Sequence, residues 1–476
     1  MAMDLRHLRP DRNHGGPIYL QLYRRYRDAI AAGKLRPGDR VPAVRSLASE
    51  LNLARGTVEL AYQMLASEGY LLARGPAGTF VSPGLEPLAQ TPRAARGARP
   101  AAAPTGMAAV PAPRPFQLGL PALDAFPRKT WVRLAGRTLR SLGMAAMVHP
   151  DPAGYEPLRR SIAAYLGISR GIACTPAQVF VTNGYRGALQ LACRALLEPG
   201  DEGWYEDPGY PYARRLLEDE GMRLAPVAVD EEGLDVGQGI RRAARARFAV
   251  VTPTHQSPLG MALSLPRRLE LLEWAGRSAA WIVEDDYDSE FRYHGRPLPA
   301  LKSLDAQGRV LYAGTFSKAL FPGLRLAYLV APQAQAARLQ EAAQRLPGPG
   351  AVPLQAAVAD FMDQGHFARH LRRMRALYAV RRGFLVDALD AVFGGRLHVQ
   401  PQAGGIHVLA HLAGRRSDRA IAAEARARGL AVQALSDWRI RKSAAGGLLL
   451  GFANLQSADE ARAQAERLRA AFDAAR

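Results

Sequence analysis

A lysine among small hydroxylated residues, with an arginine seven positions on, is the arrangement in this chain with most chemistry to offer. It is Lys318, in the run Val310-Leu311-Tyr312-Ala313-Gly314-Thr315-Phe316-Ser317-Lys318, with Arg325 beyond it. A lysine amine is protonated at neutral pH and so a poor nucleophile. Desolvation and a nearby positive charge lower its pKa, and Arg325 could supply the charge. A neutral amine there can form a Schiff base with a carbonyl. Thr315 and Arg325 suit a phosphate dianion, the arginine as a bidentate donor. The acidic run Glu284-Asp285-Asp286-Tyr287-Asp288 follows the predicted strand Trp281-Ile282-Val283. Carboxylates at the C-terminal end of a parallel strand face the ligand crevice. We take Asp285 as the partner of a protonated ring nitrogen, with Asp286 the alternative, because an acidic run leaves the register open. Tyr287 would donate to a phenolic oxygen. The run lacks the His or Cys partners a transition metal favours, so no metal is expected. Lysine, carboxylate, phenol donor and phosphate cup are together what a pyridoxal phosphate site requires.

Further segments could complete such a pocket. Gly184 and Tyr185, in Thr182-Asn183-Gly184-Tyr185, end a predicted strand and open a helical run; such a step offers backbone N–H groups to a phosphate. Tyr210, in Asp207-Pro208-Gly209-Tyr210, could stack on a pyridine ring, although an isolated tyrosine more often only packs. Pro253-Thr254-His255-Gln256-Ser257-Pro258-Leu259-Gly260 follows another strand and could line the same space, with His255 equally well a turn residue.

The elements that must hold these residues alternate. Residues 179–182, 248–252, 281–284 and 309–312 read as buried strands, separated by Ala/Leu/Arg-rich helical runs. That order predicts an α/β domain with a mostly parallel sheet. From about residue 366 the pattern changes to a smaller α+β lobe.

The N-terminal part has another periodicity. Pro17 opens a helical run with Ile18, Leu22, Tyr26 and Ile30 on one face, ended by Gly33. Val44, Leu47, Ala48 and Leu51, then Val58, Ala61, Tyr62 and Leu65, mark two short amphipathic helices broken at Asn52-Leu53. Two helices joined so tightly predict a helix-turn-helix. Leu71-Leu72-Ala73-Arg74 and Thr79-Phe80-Val81 flank Gly75-Pro76-Ala77-Gly78 as a hairpin wing. The second helix of such a module enters the major groove by its N-terminal end. Here that end carries Arg55, Gly56 and Thr57: a donor for guanine or phosphate, a residue without bulk, and a contact for phosphate or a thymine methyl. Arg45 is placed for phosphate, and Gly75 and Gly78 would let the wing approach the DNA backbone.

Residues 83–115 hold eight prolines and ten alanines in 33 positions, which cannot bury a core and reads as an extended linker. The chain of 476 residues therefore divides into a DNA-reading module, 1–82, a linker, 83–115, and a large domain, 116–476. Net charge is +20, of which +5 falls in 1–82, +3 in the linker and +12 beyond it. The charge supports a nucleic-acid partner without localising it. Two cysteines, Cys174 and Cys193, make no disulfide framework and fit a reducing cytoplasm. There is neither an apolar signal core at the start nor an apolar run long enough to span a bilayer.

Over nearly its whole length the chain resembles the MocR subfamily of GntR regulators. The resemblance is carried by Pro37-Gly38, Glu68-Gly69-Tyr70-Leu71 and Gly78-Thr79-Phe80-Val81 in the winged helix. In the large domain it is carried by Asp207-Pro208-Gly209-Tyr210-Pro211, Glu284-Asp285-Asp286-Tyr287-Asp288-Ser289-Glu290-Phe291, Gly314-Thr315-Phe316-Ser317-Lys318, Leu324-Arg325-Leu326 and Gly451-Phe452-Ala453. It implies a domain similar to fold-type I aminotransferases and pyridoxal phosphate held as a Schiff base by Lys318. It also implies a homodimer with pockets near the subunit interface, and control of promoter DNA in amino-acid, amine or vitamin B6 metabolism in response to the cofactor or an amino compound. Several positions depart from the pattern. Gly184-Tyr185-Arg186 stands where Gly-Ser/Thr-Gln is usual, His149 where a tyrosine is common, and Ser257 where aminotransferases have asparagine. The last strand, Leu448-Leu449-Leu450-Gly451, lacks the arginine that clamps a substrate carboxylate, and Arg439 and Arg441 match no motif. Two functions follow: a one-component transcription regulator, or a working aminotransferase tethered to DNA.

Overall fold

A computed structural model describes Pro10 and residues 16–84, 113–293, 298–414, 416–443 and 445–475. Contacts divide the chain into two units, Met1–Pro111 and Ala112–Arg476. Most of the expected linker, residues 85–112, lies outside the described residues.

In the first unit α1 (Ile18–Ala31), β1 (Arg40–Val41), α2 (Val44–Leu51), α3 (Arg55–Ser67), β2 (Leu71–Ala73) and β3 (Thr79–Val81) form a winged helix-turn-helix. Leu22, Tyr26, Leu47, Val58, Leu65 and Val81 meet in one core and are at most 2% exposed. The turn is sharp because Asn52 closes α2 in the left-handed region, with φ of 50°, a conformation asparagine tolerates better than most residues. Inside this core Tyr26 and Tyr62 share a hydroxyl hydrogen bond of 3.0 Å, and Tyr62 donates to the Pro42 carbonyl. Strands pair in the order β1-β3-β2, all antiparallel, which builds the wing.

The second unit opens with α4 (Arg128–Ser141) and α5 (Glu156–Arg170). It then alternates: β4 (Val179–Thr182), α6 (Gly184–Leu196), β5 (Glu202–Asp207), α7 (Pro211–Asp219), β6 (Arg223–Asp230), β7 (Gly233–Leu234), α8 (Val236–Arg242), β8 (Phe248–Val251), α9 (Leu265–Arg277), β9 (Trp281–Asp286), β10 (Val310–Thr315), the single-turn α10 (Phe316–Ala319) and β11 (Ala327–Val330). These eight strands make one sheet in the order β4-β11-β10-β9-β8-β5-β6-β7. The five central strands, β10-β9-β8-β5-β6, are parallel, and the flanking pairs are antiparallel. Helices cover both faces, so central strands such as β9 are buried at every position.

After α11 (Ala336–Gln344) and α12 (Val352–Asp363), the 28-residue α13 (His366–Phe393) leads into the smaller lobe. There β12 (Leu397–Val399), β13 (His407–Leu412), β14 (Gln433–Ala434) and β15 (Gly447–Gly451) form an antiparallel sheet with α14 (Asp418–Ala427) and α15 (Ala458–Ala474). The segment entering the large domain belongs to this lobe in space. Phe116 bridges Gly451, and Ala431 N–H donates to the Pro115 carbonyl. Residue 115, assigned to the linker from its proline content, is thus already tied to the smaller lobe, because a hydrogen bond from a distant residue outweighs local composition.

Two strands run further than their apolar runs suggest. β9 continues through Asp285 and Asp286, and β10 through Thr315. Glu284, Asp285 and Asp286 are therefore the strand's own C-terminal end, and Tyr287 and Asp288 follow it.

Candidate functional site

Strand alternation settles where the acidic residues point. Glu284 and Asp286 share one face of β9. Glu284 accepts from the Leu301 and Lys302 backbone N–H groups, both at 2.8 Å. Asp286 lies 2.6 Å from the buried Arg170 guanidinium and accepts from Tyr312 Oη at 2.6 Å. Asp285 faces the other way, into a cavity of about 560 Å³ between the sheet edge and the smaller lobe. The same cavity is lined by Lys318, Tyr287, Tyr210, Thr315, Arg325, Gly184 and Tyr185. All eight cofactor residues expected from sequence thus meet in one space, and the alternative Asp286 is committed to an ion pair behind it.

Lys318 sits in the turn of α10, where Thr315 caps the helix by accepting from Ser317 N–H. Its Nζ donates to the Gly119 carbonyl at 2.9 Å. Burial lowers the lysine pKa, opposed in part by Asp288 and Asp285. Gly119 has φ of +72°, which favours glycine, and a Cβ there would lie 2.6 Å from Lys318 Nζ and push the amine aside. Burial also raises the Asp285 carboxyl to about 8. Tyr185 pulls against that shift, although its hydroxyl has no hydrogen-bond geometry with any described residue, and the neighbouring carboxylates Asp286, Glu206 and Asp288 reinforce it. Tyr287 Oη is 2.9 Å from His255 Nδ1, which is also 3.0 Å from Asp288 Oδ1. His255 therefore stands behind Tyr287, not in the cavity.

Helix α6 begins at Gly184, and its first turn opens into the cavity beside Arg186 and Arg325. The backbone at Gly184 has φ of +76°, and a Cβ would approach the Arg325 guanidinium to 3.4 Å. The end of a 13-residue helix and two guanidiniums meet here, a cationic corner of the kind that suits a phosphate. The donor set fits pyridoxal phosphate: a neutralisable lysine, a buried carboxyl for the ring nitrogen and a cationic cup. Tyr210 packs in an aromatic group with Tyr185, Tyr212 and Trp438, at ring separations of 5.4–6.4 Å.

Several lining residues had escaped sequence reading: Gly119, Arg114, Trp438, His407 and Arg426. All lie in the smaller lobe or the entry segment, far from the motifs in the chain. The last strand indeed carries no arginine, yet Arg114, Arg186 and Arg426 reach the cavity from elsewhere. Ser257 lines it too. Neither Arg439 nor Arg441 lines the cavity, and beside them the carboxylate of Asp207 accepts from the N–H groups of Ile440 and Arg441, at 2.8 and 3.0 Å. Among the described residues no His, Cys, Asp and Glu group could hold a metal ion.

The first unit presents Arg55 and Gly56 exposed at the start of α3, with Thr57 half-buried behind them. Ala54 precedes the helix without a side-chain cap, and of the first-turn N–H groups Thr57 donates to the Ala54 carbonyl at 3.0 Å. Nothing lies within 4 Å of a Cβ at Gly56, so the protein itself does not demand glycine there. Arg45 is exposed on α2. The wing glycines have an internal reason as well: φ is +55° at Gly75 and +107° at Gly78, and a Cβ on Gly78 would lie 2.8 Å from Arg40 Nε. Arg40, on β1, is a basic residue of the wing that the sequence pattern did not single out. Among the described residues no helix is long and apolar enough to cross a membrane.

Residues 18–81 match the family described as "Bacterial regulatory proteins, gntR family", and residues 125–448 that described as "Aminotransferase class I and II". The chain is 37% identical over 455 residues to the "Probable rhizopine catabolism regulatory protein MocR" of Rhizobium meliloti, covering 94% of this chain and 92% of that protein. It is 34% identical to the "HTH-type pyridoxine biosynthesis transcriptional regulator PdxR" of Corynebacterium glutamicum, covering 91% and 92%. Among solved structures, the α-aminoadipate aminotransferase LysN of Thermus thermophilus, complexed with N-(5'-phosphopyridoxyl)-L-leucine, superposes with a TM-score of 0.68 at 28% identity, covering 75% of this chain and 91% of that one.

Proposed function

The chain belongs to the MocR-type GntR regulators, a winged helix joined to a class I and II aminotransferase domain, and from that premise we propose a one-component transcription regulator that senses pyridoxal phosphate or an amino compound captured by it. The observation that carries this reading is the convergence of Lys318, Asp285, Tyr287 and Arg325 on one cavity, in a chain that also bears an exposed, uncapped recognition-helix start.

Bound pyridoxal phosphate supplies an electrophilic carbonyl that captures primary amines. The chain's own residues make that capture selective. Burial lowers the pKa of the Lys318 amine and so favours its neutral, nucleophilic form. The Asp285 carboxyl holds a proton at the ring nitrogen, Tyr287 orients the phenolic oxygen, and Tyr210 covers the ring and excludes water. Arg325, Thr315 and the first turn of α6, with Gly184 and Tyr185, hold the phosphate. Arg114 and Arg426 offer cations to a carboxylate on the captured amine. On DNA, Arg55, Gly56 and Thr57 meet the major groove, while Arg45 and the wing at Gly75 and Gly78 meet phosphates. An effector can change DNA affinity only if it binds two arrangements of the protein unequally.

We further propose a cytoplasmic homodimer. Val132, Leu139, Met144 and Val148 are exposed apolar side chains between residues 132 and 148, a patch suited to a second copy. The enzyme reading keeps one observation in its favour, since the cavity is well supplied with arginine. The regulator reading is preferred because the relatives of matching length are named as regulators. The test is to titrate promoter DNA with purified protein, with and without pyridoxal phosphate and candidate amines, for wild type and Lys318→Ala. The wild type should show a visible cofactor band and an effector-dependent DNA affinity, and the variant neither. Sustained turnover with an amino donor and a keto acceptor at enzyme-like rates would overturn it.

A further inference from the structure

Behind the cofactor cavity lies a second one, of about 270 Å³, which shares none of its lining residues. Its walls come from the loop after β8, the segment after β9, and residues 400–405 of the smaller lobe. It is closely built. The Gly405 N–H donates to the Phe291 carbonyl at 2.9 Å, and Tyr293 N–H to the Ala403 carbonyl at 2.9 Å. A Cβ on Gly405 would sit 2.3 Å from His255 Cε1, one on Gly404 2.5 Å from the Phe291 carbonyl, and one on Gly260 2.4 Å from Gln402 Nε2.

Five buried polar atoms on residues lining this cavity have no hydrogen-bond partner among the described residues: His255 Nε2, Asp288 Oδ2, Ser289 Oγ, Arg292 Nε and Gln402 Oε1. His255, Asp288 and Gln402 are each less than a tenth exposed. Buried polar atoms are costly to leave unpaired, and five on the residues that wall one space mark it as a place for a polar guest toward which these side chains would turn. Their types sort into two sets. His255 Nδ1 lies 3.0 Å from Asp288 Oδ1, and in the tautomer that donates there Nε2 is left as a lone-pair acceptor. Gln402 Nε2 donates to the Leu259 carbonyl, which leaves Oε1 free to accept. With Asp288 Oδ2 these are three acceptors, one for each N–H of a primary ammonium. Arg292 Nε and Ser289 Oγ are two donors, matching a carboxylate.

We propose that this cavity is a second effector site for a small zwitterion of the free amino acid class. Its ammonium donates to Asp288, Gln402 and His255, and its carboxylate accepts from Arg292 and Ser289. The space is near the lower end of small-ligand sites, about 300 Å³, which limits the side chain to a few atoms. The guest reports to the cofactor cavity through one ring. His255 meets the guest at Nε2 and Tyr287 Oη at Nδ1, and Tyr287 lines the cofactor space. The protein would then read a free amino acid separately from any amine captured at Lys318.

The site itself does not depend on the cofactor reading, and the experiment keeps the two apart. Holoprotein is treated with borohydride, which fixes the cofactor to Lys318 as a secondary amine that no longer exchanges with amines. L-Alanine, ethylammonium and acetate are then titrated separately by calorimetry, with the emission of the reduced cofactor followed in parallel. L-Alanine should bind saturably, one molecule per chain, and shift the emission, while the two half-probes bind far more weakly. Gln402→Met and Arg292→Met should each weaken L-alanine by roughly tenfold or more. Ala262→Leu, which fills the cavity from an apolar wall, should abolish binding and guards against misfolding of the polar variants. No saturable heat up to about 10 mM would mean that solvent alone fills the space and overturns the proposal. Binding lost in Arg426→Ala but kept in the cavity variants would place the amino acid beside the cofactor and overturn it equally. A missing visible band before reduction would instead count against the cofactor reading, and calorimetry on that same protein would still decide the second site.

Discussion

Asp285→Asn separates the two carboxylates of the acidic run by what each does. In the cofactor-free protein the Asp285 carboxyl is raised to about 8 by burial and neighbouring carboxylates. Ionising it at pH 7 therefore costs about 1.4 kcal/mol, one pKa unit. A pyridinium at about 4 Å returns about 4 kcal/mol at an effective dielectric near 20. The net of roughly 2–3 kcal/mol is what the asparagine forfeits, so affinity for pyridoxal phosphate should fall about 30- to 150-fold. The assay is a spectrophotometric titration of cofactor-free protein with pyridoxal phosphate at pH 7, with thermal unfolding recorded alongside. Asp286→Asn is the companion. It removes one partner of the buried Arg170 ion pair, so it should cost about 3–5 kcal/mol of stability, while any folded fraction keeps near-normal cofactor affinity. If Asp285→Asn binds the cofactor as tightly as wild type, or Asp286→Asn is the one that weakens it in a still-folded protein, the assignment of β9 register to function is wrong.

Other consequences are equally direct. Because the folded-state pKa of Asp285 lies above its unfolded value of 3.8, its contribution to the stability of the cofactor-free protein is fully present below that value and is lost as pH rises toward about 8. Urea unfolding of Asp285→Asn should therefore fall less steeply over this window than wild type, and an identical slope would refute the burial argument. Arg55→Ala should weaken specific promoter binding by about five- to hundredfold, with less effect on random DNA, read by competition binding at fixed salt. Gly78→Ala forces a left-handed residue against Arg40. The wing should lose about 1–2 kcal/mol, seen as weaker DNA binding without loss of the visible cofactor band. Tyr62→Phe strands the Tyr26 hydroxyl and the Pro42 carbonyl in the first unit's core. It should lower the first unit's unfolding free energy by about 1–3 kcal/mol, measured on the full chain by hydrogen exchange.

Much of the chemistry was written in local runs. Lys318, Thr315 and Arg325 lie within eleven positions of one another, and hydroxyl, amine and guanidinium at that spacing are legible because one short stretch between β10 and β11 carries them all. The helix-turn-helix was equally readable, since its core repeats at helical spacing and its break is a single left-handed asparagine. A strand end is harder to see. Acidic residues lower β propensity, so the sequence marks β9 only as far as Glu284, and only pairing with β10 extends it to Asp286. Once it is a strand, alternation alone separates Asp285 from Asp286.

What the sequence determined by itself was the pairing of a DNA-reading module with a lysine-centred phosphate site, because both depend on residues close together in the chain. What only tertiary structure decided was which groups share a space. Gly119 leaves room for the lysine 199 residues away. Arg114 and Arg426 reach the cavity from the entry segment and the smaller lobe, while the last strand brings no arginine. His255 turns one nitrogen to Tyr287 and the other toward a second cavity. Such distances are fixed by how sheet, helices and lobe pack together, and no local pattern of residue types encodes them.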